Sequence, residues 1–163
     1  MIQNMNDYII DLESQLSISP LNKKLLIQEA FALWYILLED IECENFSEQA
    51  LEKLLKKNYN NYKDHFSNDA DYNFIIGWMM CVAFWYFDSK ANENEGYLLL
   101  MKAYKSNPKN SFFKWAVRDQ ISLTNKEIEF LKTYISIRFE QFYDYGNLIN
   151  EYFMGLIQSA RSI

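Results

Sequence analysis

The chain has 163 residues, of which 50% are apolar and 17% aromatic, and its formal charge is −6. This composition excludes a disordered chain, because disordered chains are poor in apolar residues, and the length suits one domain over residues 1–163. Only 4 Gly and 2 Pro are present, too few for the many turns of an all-β protein.

The first three predicted helices are marked by capping residues or by proline. An apolar stripe at i, i+4 spacing predicts a first helix over about 4–17. Pro20 is tolerated in the first turn of a helix, so it predicts the start of a second helix, which ends near Cys43. Ser47 is a good N-cap and predicts a third helix that extends to Phe66.

The segment 72–87, YNFIIGWMMCVAFWYF, contains no charge over sixteen residues. A membrane span needs about 20 apolar residues, and this run is shorter and includes Asn73. We therefore predict a central core helix over about 69–89, apolar on every side and capped by Asn68 or Asp69. The alternative is that one aromatic edge of this helix stays exposed for a partner.

Three further boundaries are predicted in the second half of the chain. Asn92 and Thr124 are each followed three residues later by Glu, which resembles the capping box at a helix start. Asn107-Pro108 predicts the end of the fifth helix and the start of the sixth. Gly146 predicts a break before the last helix. The total is seven or eight helices, and no segment shows strand alternation.

The fourth and fifth helices carry a helix-pair signature. It consists of Val82-Ala83-x-x-Tyr86 followed by Gly96, Leu100, Ala103 and Pro108. Gly77 and Cys81 add a face of small residues on which another helix can approach closely. The signature resembles a tetratricopeptide repeat. The predicted fold class is all-α, with antiparallel, tetratricopeptide-like helical hairpins packed around the central helix.

The chain offers no pattern typical of a catalytic or metal site. His65 is the single histidine and is interpreted as a surface or capping residue, and Cys81 as a buried thiol. Acid pairs such as Asp40 and Glu44 lack the Glu-x-x-His companions of carboxylate metal sites. There is also no Gly-rich phosphate loop. We predict no enzyme, no cofactor and no metal.

The two cysteines and the first residues of the sequence predict the cellular location of the protein. Cys43 and Cys81 have no paired spacing, which favours a reducing compartment. The opening residues MIQNMNDYIIDLE lack the basic-then-apolar pattern of an export signal. We expect a cytoplasmic protein without a membrane partner.

Charge is unevenly distributed along the chain. Residues 39–52 hold six acids and no base, whereas residues 102–118 hold five bases and no acid. Each run is either a solvated helix face or a surface that attracts a partner of opposite charge. The basic run also contains aromatics, but these recur at core spacing. Because the rest of the chain is acidic, we expect no nucleic-acid partner.

Four features carry a resemblance to a known family: the size, the acidity, the hairpin with FIIGWMMCVAFWYFD and the closing LLLMKAYKSNPKN. In these features the chain is similar to small helical immunity proteins of bacterial contact-dependent inhibition and related polymorphic toxin systems. The resemblance implies that the chain neutralises a cognate, basic toxin domain, such as a nuclease, by masking its active site or substrate surface. The predicted partner-binding residues are Glu39, Asp40, Glu42, Glu44, Asp88, Glu93, Glu95, Tyr143, Asp144 and Tyr145. The alternative is a tetratricopeptide-like scaffold or regulatory module that binds a peptide or forms a homodimer.

Overall fold

The computed structural model describes residues 4–87, 92–142 and 145–159, the side chains of 137–142 excepted. All regular structure in these ranges is helical, which confirms the predicted all-α class. The α-helices are α1 (Met5–Ile18), α2 (Lys23–Leu38), α3 (Glu48–Asn61), α4 (Ala70–Ala83), α5 (Glu93–Ser106), α6 (Ser111–Ala116), α7 (Asn125–Phe142) and α8 (Asn147–Ser159). A π-helical turn (Tyr62–Phe66) follows α3, and a 3-10 turn (Phe84–Tyr86) follows α4.

Most of the predicted caps are present. The side chains of Ser47, Asp69 and Asn92 each accept a hydrogen bond from the backbone N–H three residues later. Thr124 forms the predicted capping box, since its Oγ1 accepts from the N–H of Glu127 and its own N–H donates to the Glu127 carboxylate. Gly146 has a φ of +94°, which favours glycine and separates α7 from α8.

Both prolines lie outside the helices that they were expected to begin. Pro20 lies in a turn closed by a hydrogen bond from the Asn22 N–H to the Ser19 carbonyl, and α2 begins only after Asn22, whose side chain caps it. Pro108 lies in a similar turn before Asn110, which caps α6. The expected helix starts were wrong because proline suits a turn as well as a first helical position.

Two predicted helix ends were also too late. α2 ends at Leu38 rather than near Cys43, because Asp40 adopts a φ of +52° and turns the chain. α4 ends at Ala83 rather than near residue 89, because Ala83 leaves the helical conformation before the 3-10 turn.

The α4–α5 hairpin has the close approach that its small residues predict. A Cβ atom placed on Gly77 would lie 2.8 Å from the carbonyl oxygen of Gly96 and 2.9 Å from the backbone nitrogen of Leu100. A Cβ atom placed on Gly96 would lie 2.8 Å from the backbone nitrogen of Cys81. The two antiparallel backbones are therefore in direct contact, which only glycine permits.

α4 is the central helix, as predicted. It buries side chains on most of its surface, although Val82 near its end is exposed. Its aromatic residues meet those of α6 and α8, and Phe74 and Trp78 lie 5.5 Å and 5.2 Å from the ring of Phe153. Phe31 of α2 also belongs to this cluster, and its ring lies 6.0 Å from that of Phe153. Within the described ranges, we find no helix whose length and apolar content would let it span a bilayer.

Candidate functional site

The connection between α2 and α3 surrounds an open cleft of about 360 Å³, which we call the acidic cleft. Its apolar lining consists of Ile36, Leu37, Ile41, Phe46 and Leu51. Its acidic lining consists of Asp40, Glu42, Glu44 and Glu48. All four acids are exposed. The site therefore combines apolar surface with four carboxyl groups.

The shape of the acidic cleft follows from how α2 ends. The N–H of Ile41 donates to the carbonyl of Ile36 over 3.0 Å, which is the bond of a Schellman motif. Asp40 occupies the left-handed position of this motif, where glycine is the usual residue. The turn brings the chain back over the end of α2, and the apolar side chain of Ile41 becomes part of the cleft lining.

Two long-range hydrogen bonds fix this connection to the rest of the fold. The hydroxyl of Tyr86, in the turn after α4, donates to the carbonyl of Leu37 over 2.9 Å. The side-chain oxygen of Asn6, in α1, accepts from the backbone N–H of Asn45 over 3.0 Å. The position of the acidic cleft thus depends on both α1 and the end of α4.

The acids of the acidic cleft do not stabilise the local structure. Asp40 lies at the C-terminal end of α2, where the helix dipole is negative and a carboxylate costs about 0.3–1 kcal/mol. Among the described residues, the carboxylates of Asp40, Glu42, Glu44 and Glu48 form no hydrogen bond or ion pair. Residues that oppose local structure are typical of functional surfaces.

A substitution at Asp40 tests this account of the turn. We expect Asp40→Gly to stabilise the protein by about 1 kcal/mol, because glycine adopts a positive φ freely and a charge leaves the helix end. Asp40→Asn removes only the charge and should give a smaller gain. The midpoint of urea unfolding measures both effects, and a loss of stability in Asp40→Gly would contradict the strained-turn interpretation.

Cys43 lies in the acidic cleft, where its surroundings favour the protonated thiol. It is half-buried, and this burial raises the pKa of the thiol above its ordinary value. The same holds for Cys81 on α4, where burial, followed by the charge of Glu93, raises the thiol pKa to about 12. Both sulfurs are protonated at neutral pH, which disfavours nucleophilic chemistry.

The structure brings three of the predicted binding residues together. Asp40, Glu42 and Glu44 all line the acidic cleft. Glu48 lines it as well, although it was not among the predicted residues. Its place in the acidic run 39–52, directly after the Ser47 cap, was a signal that could have included it.

The remaining predicted acids on described residues lie apart from the acidic cleft. Glu39 is exposed at the end of α2, and its charge acts on Tyr152 of α8, whose pKa is raised mainly by burial. Glu95 accepts a hydrogen bond from the Tyr59 hydroxyl over 3.3 Å, and Glu93 accepts one from the Tyr97 hydroxyl over 3.0 Å. Both acids of α5 thus bond within the fold.

The predicted group beside Gly146 is only partly placed. Tyr145 is half-buried and packs against the core. The other two members, Tyr143 and Asp144, lie outside the described residues, and so does Asp88.

A second exposed surface lies on the α4–α5 hairpin. We call it the aromatic face and define it by Val82, Trp85 and Tyr97, of which Trp85 is 57% exposed. Val82 and Tyr97 also line a small groove of about 150 Å³ that reaches α6. One edge of the apolar run 72–87 is therefore exposed, which was the alternative to complete burial.

The basic run 102–118 is partly used inside the fold. Lys102 donates to the carbonyl of Ser67 over 2.5 Å, and the guanidinium of Arg118 lies 4.8 Å from the ring of Trp115. The aromatic residues Phe112, Phe113 and Trp115 are buried. This confirms the prediction that they belong to the core.

Two further sources of information, possible metal ligands and similarity to known proteins, do not identify another functional site. In the part of the chain that the structure describes, no group of three or more His, Cys, Asp or Glu residues is placed to hold a metal ion. Comparison of the sequence and fold with protein-family models, curated proteins and solved structures finds no match. The acidic cleft is therefore the feature that points most directly to a function.

Proposed function

We propose that this chain is an immunity protein, which binds a cognate bacterial toxin domain and covers its active site or substrate surface with the acidic cleft. The observation that supports the proposal is the placement of Asp40, Glu42, Glu44 and Glu48 around one apolar depression. A basic toxin domain, such as a nuclease, carries the complementary charge, because its substrate surface must attract phosphate groups.

The acidic cleft suits the side chains that such a surface presents. Lysine and arginine have apolar stems and charged ends, so a stem can lie against Leu37 or Phe46 while the charged end contacts a carboxylate of the rim. Charge-assisted hydrogen bonds to a carboxylate are stronger than neutral ones. The apolar lining would supply the desolvated centre of such an interface, and the acids its rim.

The charge of the whole chain would add to the rate of association. With a formal charge of −6, the chain attracts a basic partner over a distance of about one Debye length. Complementary charge raises association rates more than it raises affinity. Binding by the acidic cleft should therefore be fast and sensitive to salt.

Charge reversal in the cleft tests the proposal. The tagged chain is first purified from its native cell, and a stoichiometric basic partner is identified by mass spectrometry. Co-expression with that partner should restore growth for the wild type. The variant D40K/E42K/E44K should fail to restore growth, associate at least tenfold more slowly and show a weaker dependence on salt.

The matched control changes the same amount of charge elsewhere. The variant D11K/D64K/E151K alters three exposed acids on α1, the π-helical turn and α8. It should still restore growth, although its association also slows slightly because the net charge changes equally. Equal loss in both variants would mean that only net charge matters, and unchanged kinetics in the cleft variant would exclude the cleft.

The aromatic face supports the alternative function. Val82, Trp85 and Tyr97 are exposed large apolar side chains, and exposed apolar patches mark interaction sites such as those of scaffold modules and homodimers. If the purified chain sediments as a dimer that Trp85→Ala dissociates, or if it binds only extended peptides weakly, the scaffold interpretation replaces the immunity interpretation.

A further inference from the structure

A second polar cavity lies between α1, α2 and α3, on elements that the proposed toxin-binding function does not use. It measures about 320 Å³, and Glu13 of α1, Glu29 of α2 and Lys57 of α3 are among its lining residues. Glu29 is only 4% exposed. A buried carboxyl group must be neutral or well paired, because an isolated buried charge is very costly.

The hydrogen bonds around Glu29 show how its carboxyl group is held. Asn58 donates to Glu29 Oε2 over 2.7 Å and to the carbonyl of Leu26 over 2.8 Å. The Asn58 side-chain oxygen accepts from the Tyr72 hydroxyl over 2.5 Å. Both donors of the Asn58 amide are thus used, and its orientation is fixed by partners on two other helices, α2 and α4.

The second partner of Glu29 is another acid. Glu13 lines the same cavity as Glu29, and its carboxyl group interacts with that of Glu29. Two carboxyl groups can form a hydrogen bond only if one of them is protonated, since a carboxylate has no donor. The titratable groups facing Glu29 are Glu13 on α1, Lys57 on α3 and Tyr72 on α4, and of these only Lys57 carries a positive charge.

We propose that Glu13 and Glu29 form a proton-dependent latch, in which one shared proton joins α1 to α2 and loss of that proton weakens the contact between the two helices. The pKa of Glu29 is raised to about 8. Burial is the largest cause of this shift, and the hydrogen bond to Glu13 is the next largest. Asn58 and Lys57 oppose the shift. The latch is therefore closed at neutral pH and opens as the pH rises past about 8.

The sign of the effect on stability follows from this shift. The pKa of Glu29 is higher in the folded chain than its ordinary value of 4.5. The stabilisation is complete below that ordinary value and is lost as the pH rises to about 8, because the unfolded chain releases the proton first. Over this window the unfolding equilibrium constant should increase by up to tenfold for each pH unit.

The latch also connects to the acidic cleft. Asn6 of α1 holds the α2–α3 connection through the backbone N–H of Asn45, one residue after Glu44. Opening the latch weakens the hold on α1 and should loosen this connection, although Ile9 and Leu12 keep α1 packed in the core. Alkaline pH would then loosen the cleft, whatever partner the cleft binds, so the latch does not depend on the proposed function.

The test compares the wild type with Glu29→Gln across pH 5 to 9. Glutamine keeps the shape of the acid and can donate its amide to Glu13 while accepting from Asn58, so it replaces the shared proton permanently. The unfolding constant of the wild type should rise steeply across this window, and that of Glu29→Gln should remain much flatter. The control Asp64→Asn, at an exposed site, should keep the wild-type profile.

Two further measurements make the result decisive. Hydrogen exchange, corrected for its intrinsic pH dependence, should show α1 losing protection above pH 8 in the wild type while α8 keeps it. If Glu29→Gln does not fold, the ¹³C shifts of the wild-type carboxyl groups still report the proton directly. A carboxyl group that titrates near pH 8 supports the latch, whereas titration of every acid below pH 6 or an unchanged profile in Glu29→Gln overturns it.

Discussion

Gly77→Ala and Gly96→Ala are each expected to destabilise the protein by about 2 kcal/mol. A methyl group at either site would lie 2.8 Å from backbone atoms of the facing helix, so α4 and α5 must separate. Overpacking of this kind costs about 1–3 kcal/mol, and here backbone rather than a flexible side chain must move. The higher helix propensity of alanine recovers only about 1 kcal/mol of the larger gross cost.

The chain provides a matched control for this substitution. Gly155 lies in the interior of α8, is exposed and has no atom within 4 Å of a Cβ placed on it. Gly155→Ala should therefore stabilise the protein by about 1 kcal/mol through helix propensity alone. If alanine destabilises the protein at Gly77 and Gly96 but stabilises it at Gly155, the effect in the hairpin is due to steric contact rather than to helix propensity. Equal stabilisation at all three sites would show that the hairpin is looser than described.

The double variant adds a sharper test of the close approach. Once α5 has moved to admit a methyl group on Gly77, a second methyl group on Gly96 should cost less than it does alone. The summed effect of the single variants should thus exceed the effect of the double variant. Urea denaturation followed by far-UV circular dichroism measures all four free energies of unfolding, and strict additivity would mean that the two glycines do not share one contact.

Phe153→Ala is expected to cost about 3–5 kcal/mol, the largest effect of any single substitution considered. Phe153 is fully buried, and its ring lies 4.9 Å from that of Phe112 and 5.5 Å from that of Phe74. Truncation removes these contacts and leaves a cavity where α2, α4, α6 and α8 meet. Because that cavity is enclosed by four helices, the surrounding side chains can fill only part of it.

The control for Phe153 is an exposed phenylalanine. Phe130 on α7 is 69% exposed, and among the described residues its ring stacks on Tyr134. Phe130→Ala should change the free energy of unfolding by about 0.5 kcal/mol or less. A small effect of Phe153→Ala, similar to that of Phe130→Ala, would mean that α8 does not pack into the core.

The helix starts show which features of the fold can be predicted from residues close together in the sequence. Ser47, Asp69 and Asn92 were predictable because an N-cap needs only its own side chain and the N–H groups that follow. Pro20 and Pro108 were misread because proline fits a turn and a first helical position equally well. The asparagine two residues after each proline, at Asn22 and Asn110, was the local signal that decided between them.

The geometry of the candidate site is a feature that residues nearby in the sequence do not determine. The acidic run 39–52 was visible, but nothing in it reveals that the turn at Asp40 is braced by Tyr86, which is 49 residues away from its acceptor Leu37. The two acids of α5 illustrate the same limit. Glu93 and Glu95 resemble the acids of the run 39–52 in the sequence, yet they accept hydrogen bonds from tyrosines of the fold.

By itself, the sequence determined the helical class, most of the helix starts, the central apolar segment and the glycine contact of the α4–α5 hairpin. These depend on residues within about one helical turn of each other, or on side chains too small to keep two helices apart. Only the tertiary structure decided which acids share the acidic cleft and that Glu29 is buried beside Glu13. Desolvation and the shape of a cleft are set by what other segments place around a residue, and the neighbours in the chain do not determine that.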